Sequence, residues 1–67
     1  MTRYELRQLV KSVVKSELVV ILSSKEEAMP RLHFEEWSKS NPYCYFELVR
    51  IDTEETCLAF TKLPHAN

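Results

Sequence analysis

Four side chains in this 67-residue chain could offer a metal a nitrogen or sulfur ligand: Cys44, Cys57, His33 and His65. Structural zinc needs ligands in close pairs, and the chain holds no C-x-x-C and no H-x-x-x-H. If residues 43–63 fold as a hairpin around Asp52-Thr53-Glu54-Glu55, Cys57 falls opposite Arg50 and Cys44 opposite Leu63. The thiols would then lie several residues apart along the strands, too far for a disulfide. Two reduced, at least partly buried thiols are expected, on the face opposite the tyrosines. His33 reads as a rim histidine and His65 as part of a tail.

Acid–base chemistry would need converging carboxylates. The glutamate pairs are Glu26-Glu27 and Glu35-Glu36. Adjacent helical residues point about 100° apart, so neither pair can grip one substrate atom. A solvated helix face is the better reading. The chain has no glycine, which removes the phosphate-binding loop, the dinucleotide fingerprint and the nucleophile elbow. The expectation is a non-catalytic protein with no cofactor and no metal.

Binding chemistry is better represented. Arg3, Arg7, Lys11 and Lys15 recur every four residues, as a winding ridge on a helix or as one face of a strand. Residues 1–16 carry four basic and one acidic group, net +3, and residues 17–37 two basic and five acidic groups, net −3. A basic ridge can bind phosphate, so nucleic acid is the alternative partner. Phe34, Trp37, Tyr43 and Tyr45 gather around a helix end and the strand after it. Aromatics of this kind anchor protein interfaces, often inside a charged rim.

The elements that must position these groups follow from hydrophobic period. Residues 1–16 fit two templates. Leu6, Leu9, Val10 and Val13 have helical spacing behind a Thr2-x-x-Glu5 capping box, whereas Tyr4, Leu6, Val10 and Val14 share one face of a strand. Residues 17–22 read as a short buried strand. Ser23 and Ser24, each with a glutamate three residues on, begin a helix over 24–39 that Ser40-Asn41-Pro42 stops. Pro30 inside it implies a kink, or a restart with the proline near the first position. Ala28, Met29, Leu32, His33 and Trp37 share its broad side, and Phe34 falls off it.

Residues 43–63 read as a β-hairpin pairing Ile51 with Thr56, Val49 with Leu58 and Phe46 with Thr61. A four-residue loop is expected, because two-residue primed turns favour glycine. Cys44, Phe46, Leu48, Cys57, Ala59 and Leu63 take one face. Tyr43, Tyr45, Glu47, Val49, Ile51, Leu58, Phe60 and Lys62 take the other, which residues 2–16 or a partner must cover. The fold expected is a single α+β domain over 1–67: a small antiparallel sheet of three to four strands with one or two helices packed on it.

Length and composition agree. Hydrophobic residues make up 45% and charged residues 28%, with a net charge of −1, so no global basic field points to nucleic acid. The longest apolar run, Leu18 to Leu22, is far short of the ~20 residues a membrane span needs. The opening residues do not read as a signal peptide, and the cytoplasm is the expected location, of the host if the chain is phage-encoded.

The order strand–helix–hairpin over Leu18–Leu63 resembles a known group of proteins. Ser24-Lys25-Glu26-Glu27-Ala28 opens the helix, Glu36-Trp37 lies near its end, and Phe46-Glu47-Leu48-Val49-Arg50-Ile51 starts the hairpin. This is similar to the small RNA polymerase inhibitors of T7-like phages, which have a Glu-Trp helix followed by a Phe-Glu-Val-x-Arg-Val strand. In strand order it also resembles very short anti-CRISPR proteins. The resemblance covers about two-thirds of the chain, and the helix here is longer and contains Pro30. It implies a protein that binds and blocks a larger host complex, with Arg50 and the acidic turn of Asp52, Glu54 and Glu55 as exposed contacts. Phe34, Trp37, Tyr43, Tyr45 and Val49 complete the expected partner surface, and a homodimer is a further expectation.

Overall fold

The structure, a computed structural model, describes residues 1–61; Lys62, Leu63 and His65 lie outside the described residues. Four strands and one helix run in the order β1 (Arg3–Lys11), β2 (Ser16–Ser24), α1 (Ala28–Ser40), β3 (Phe46–Ile51) and β4 (Glu55–Phe60). The sheet order is β2-β1-β3-β4, and every neighbouring pair is antiparallel. The protein is therefore a small α+β fold with a four-stranded sheet.

The N-terminal segment is a strand, and it lies inside the sheet between β2 and β3. The two sequence patterns share Leu6 and Val10, and long-range pairing decides between them: β1 gains two hydrogen-bonded neighbours that a helix would forgo. Leu6 shows why this strand is central. It pairs with Leu22 on one side and Leu48 on the other, and it is fully buried.

Register assigns the two faces. Tyr4, Leu6 and Gln8 share one face with Phe46, Leu48 and Arg50. Helix α1 covers that face, and Trp37 and Asn41 share a cavity of about 330 Å³ with Gln8, Ile21 and Phe46. Arg3, Glu5, Arg7, Leu9 and Lys11 take the opposite face, with Glu47, Val49 and Ile51 beside them on β3. None of the described elements covers this second face.

The helix begins four residues later than its serines suggest. β2 continues to Ser24, whose Oγ accepts a hydrogen bond from Glu26 N at 3.1 Å, so that serine closes a turn rather than capping the helix. Glu27 takes the N-cap position with no side-chain cap, and its carboxylate accepts from Arg31 one turn on. Pro30 is the third helical residue. Its missing N–H falls among the first-turn groups that have no helical partner, so the proline needs no kink. Its ring is buried. Asn41 ends the helix, donating to Trp37 O from its backbone N at 2.9 Å and its Nδ2 at 3.1 Å.

The packed side of α1 differs from the expected one. Pro30, Phe34 and Trp37 turn inward at i, i+4 and i+7, while Met29 and Leu32 are about half exposed. Anchoring by the buried proline rotates the helix, so Phe34, read as off the packed side, belongs to it.

The second hairpin holds the expected register only at its far end. Glu47 pairs with Phe60 and Leu48 with Ala59, but a bulge shifts the pairing so that Val49 meets Cys57 and Ile51 meets Glu55. The loop shortens to Asp52-Thr53-Glu54, stabilised by Glu54 N donating to Asp52 Oδ1 at 3.0 Å. The bulge moves Cys57 onto the uncovered face, where it is exposed, while Cys44 is half buried. The expectation of two buried thiols fails for Cys57. Thiol labelling of the native protein should show one fast site, removed by Cys57→Ser, and one slower site. Equal rates at both would contradict this bulge.

β2 also departs from its reading as a buried strand. Ser16 to Val20 are all exposed, and its half-buried residues are Ile21, Leu22 and Ser24. Beyond Gln8, β1 leaves β3 after one last bond, Leu9 N donating to Tyr45 O at 3.0 Å, and continues with β2 as a two-stranded arm. The arm turns at Val13-Val14 without positive φ. Ser12 Oγ takes up Val14 N at 3.3 Å and Lys15 N at 3.1 Å, supplying the acceptor that the turn geometry denies the backbone.

Candidate interaction surface

The uncovered sheet face is organised by an acid that sequence reading passed over. Glu5 is 7% exposed. Its Oε1 accepts from Arg7 Nε at 3.0 Å and Nη2 at 2.8 Å, and its Oε2 from Arg3 Nη2 at 3.0 Å. Arg7 Nη2 also reaches Glu55 Oε1 at 3.0 Å across the sheet. The Glu55 hydrogen bond, reinforced by Glu5 and opposed by burial, raises the Arg7 pKa further. The alternation Arg3-x-Glu5-x-Arg7 was the legible signal, because residues two apart on a strand share a face.

These pairs change the meaning of the basic ridge. Arg3, Arg7 and Lys11 do share one strand face, but two of the three are engaged by carboxylates, and Lys15 in the arm's turn sits 3.3 Å from Glu17. Phosphate would have to compete with fixed intramolecular partners.

The expected partner residues separate into three places. Tyr43 and Tyr45 stay together at the base of the arm, around a cavity of about 300 Å³ lined also by Leu9, Val10 and Lys11. Tyr43 is exposed, whereas Tyr45 is half buried. Burial, followed by the nearby Glu47 carboxylate, raises the Tyr45 hydroxyl pKa. Phe34 and Trp37 belong to the covered face, where Trp37 meets His33 edge to face at 4.8 Å between centroids. Asp52, Glu54 and Glu55 form an exposed acidic turn. The Asp52 carboxyl is held below its usual range, first by the backbone of Glu54 and then by Arg50, whose Nε lies 3.6 Å away.

Val49 is a correction within this surface. It lies on the uncovered face beside Glu5 and Cys57, yet it is only 2% exposed. Long charged side chains cover apolar surface with their stems, and the Glu5–Arg7 pair lies alongside Val49 in this way. The large apolar residues that remain open here are Phe60, 66% exposed, and, on β2, Leu18 and Val20, 44% and 47% exposed. Leu18 and Val20 were missed as surface because their β-branched, apolar run reads as a core strand.

Among the described residues no group of three histidine, cysteine, aspartate or glutamate side chains could hold a metal ion, and no helix is long and apolar enough to cross a membrane. No family model matches the chain, nor does a curated protein or a solved structure.

Proposed function

We propose that this protein is a non-catalytic interaction module that binds a larger protein complex through the uncovered face of its sheet. By the resemblance to small phage inhibitors, it acts as a phage-encoded blocker of a host polymerase, nuclease or defence assembly in the host cytoplasm. One observation carries the reading. Helix α1 packs on a single face, and the other presents Phe60, Tyr45, Leu9, Leu18 and Val20 around the Arg3–Glu5–Arg7–Glu55 cluster. Apolar anchors around a partly buried charged centre suit a specific protein contact, and contiguous apolar patches on small soluble domains commonly mark interfaces.

The test is affinity capture from host extract with paired variants. Phe60→Glu should remove the captured complex while the fold survives, since this side chain is mostly wet. Leu32→Glu, on the outer side of α1, should leave capture intact. Loss with Leu32→Glu and retention with Phe60→Glu would move the contact to the helix. Recovery of nucleic acid in a salt-sensitive complex that needs Lys11 and Lys15 would favour the phosphate-binding alternative instead.

A further inference from the structure

We infer that β2 is a self-association edge: two copies of this chain pair antiparallel, β2 against β2, about a two-fold axis at Val19, to form one continuous eight-stranded sheet. The inference is independent of the host partner proposed above.

The edge is open and weakly guarded. β2 is the outer strand of the sheet, with β1 on one side and none of the described elements on the other. Leu18, Val19 and Val20 are 44%, 36% and 47% exposed. Natural edge strands are blunted by inward charges, prolines, bulges or short length. β2 is nine residues long, has no proline, and carries one charge, Glu17, already paired with Lys15. Its bulge lies at Ile21-Leu22 opposite Leu6, which leaves Ser16–Val20 regular. The outer part of that regular half, residues 16–18, belongs to the two-stranded arm, a form marginal in water without a third strand or a covering layer.

The pattern of β2 selects a second copy over an unrelated strand. Pairing with β1 puts Leu18 and Val20 on the uncovered face, with Leu9 and Arg7, and Val19 on the helix face, with Gln8. Antiparallel strands related by a two-fold axis set residues of the same face opposite one another. With the axis at Val19, Leu18 of each copy meets Val20 of the other, and the two Val19 side chains meet on the helix face. The four side chains from positions 18 and 20 then form one apolar cluster. Beyond them the bulge shifts the count by one, which brings Ser16 opposite Ser23 and Lys15 opposite Ser24. No like charges face each other. Moving the axis to Leu18 would set Ser16 against Val20, and a one-residue slip would set uncovered-face residues against helix-face residues.

Sedimentation velocity over a concentration series, with circular dichroism for the fold, tests this directly. The native chain should pass from monomer to dimer with rising concentration. Val19→Lys places two ammonium groups opposite each other at the axis and should give a folded monomer. Should that variant lose its fold, Val19→Cys in a Cys44→Ser/Cys57→Ser background decides. At the axis the two thiols come within cross-strand distance, and mild oxidation should give a covalent dimer with a native spectrum. A native chain that stays monomeric at every concentration overturns the inference. So does a dimer that survives Val19→Lys, or one whose Val19→Cys form does not cross-link.

Discussion

Leu6→Ala should remove a large share of the domain's stability. Leu6 is fully buried in the central strand, pairing with Leu22 and Leu48 under α1. Truncating a buried leucine costs about 2–5 kcal/mol, the transfer term plus the cavity. At the usual ~0.05–0.15 kcal/mol per residue, a chain this long has roughly 3–10 kcal/mol in total. The loss is thus a large share of what holds the domain, equivalent to a Tm drop of roughly 10–30 °C. Thermal unfolding followed by circular dichroism measures it, with Val13→Ala as the control, because Val13 is fully exposed at the arm tip. A Leu6→Ala protein melting within a few degrees of the native one would contradict the central position of β1.

The second large effect concerns Glu5. Removing one member of a buried ion pair strands its partner, at a typical cost of about 3–5 kcal/mol. Here Arg7 keeps Glu55, and Arg3 is more than half exposed and can rehydrate, so Glu5→Leu should cost less, about 1–3 kcal/mol. Replacing both Glu5 and Arg7 by Leu should recover most of that loss, since an apolar pair of similar volume often equals or betters a buried ion pair. Denaturant titration of the single and double variants gives the coupling. A single variant as stable as the native protein, or a double variant worse than the single, would show that the cluster does not stabilise this face. The recovered double variant, if folded, also separates stability from binding, because it removes the charged centre of the proposed interface.

The structure also redirects the obvious test of the uncovered face. Val49→Glu would place a new carboxylate beside Glu5 in a position only 2% exposed. It would report on stability rather than on contact, so Phe60 and the β2 edge are the informative positions.

Much of the architecture was legible in local chemistry. The helix stop at Ser40-Asn41-Pro42 and the acidic turn near Asp52 depend on capping and turn propensities within a few residues. The alternation of Phe46, Leu48 and Arg50 depends on the two-residue period of a strand. The helix start was less legible, because Ser24 has the chemistry of a cap but was taken by the end of β2.

The partner surface was half legible. Tyr43, Tyr45 and the acidic residues of the turn are where their sequence neighbours imply; Trp37 lies on the packed side of the helix, as its spacing implies, and Phe34, read as off that side, is half buried beside it.

By itself the sequence determined the strand alternation of residues 46–51, a helix ahead of the second hairpin, and the absence of every glycine-dependent site. Those properties arise from sterics and hydrogen bonding between near neighbours. Only the tertiary structure decided that residues 3–11 form the middle strand, that the Arg3–Arg7 ridge is neutralised by Glu5 and Glu55, and that Leu18–Val20 face water. Each of these depends on pairing between segments distant in sequence. A strand carries the same side-chain alternation at the centre of a sheet as at its edge. Its place there, and so which of its residues are buried, follows from the strands that pair with it.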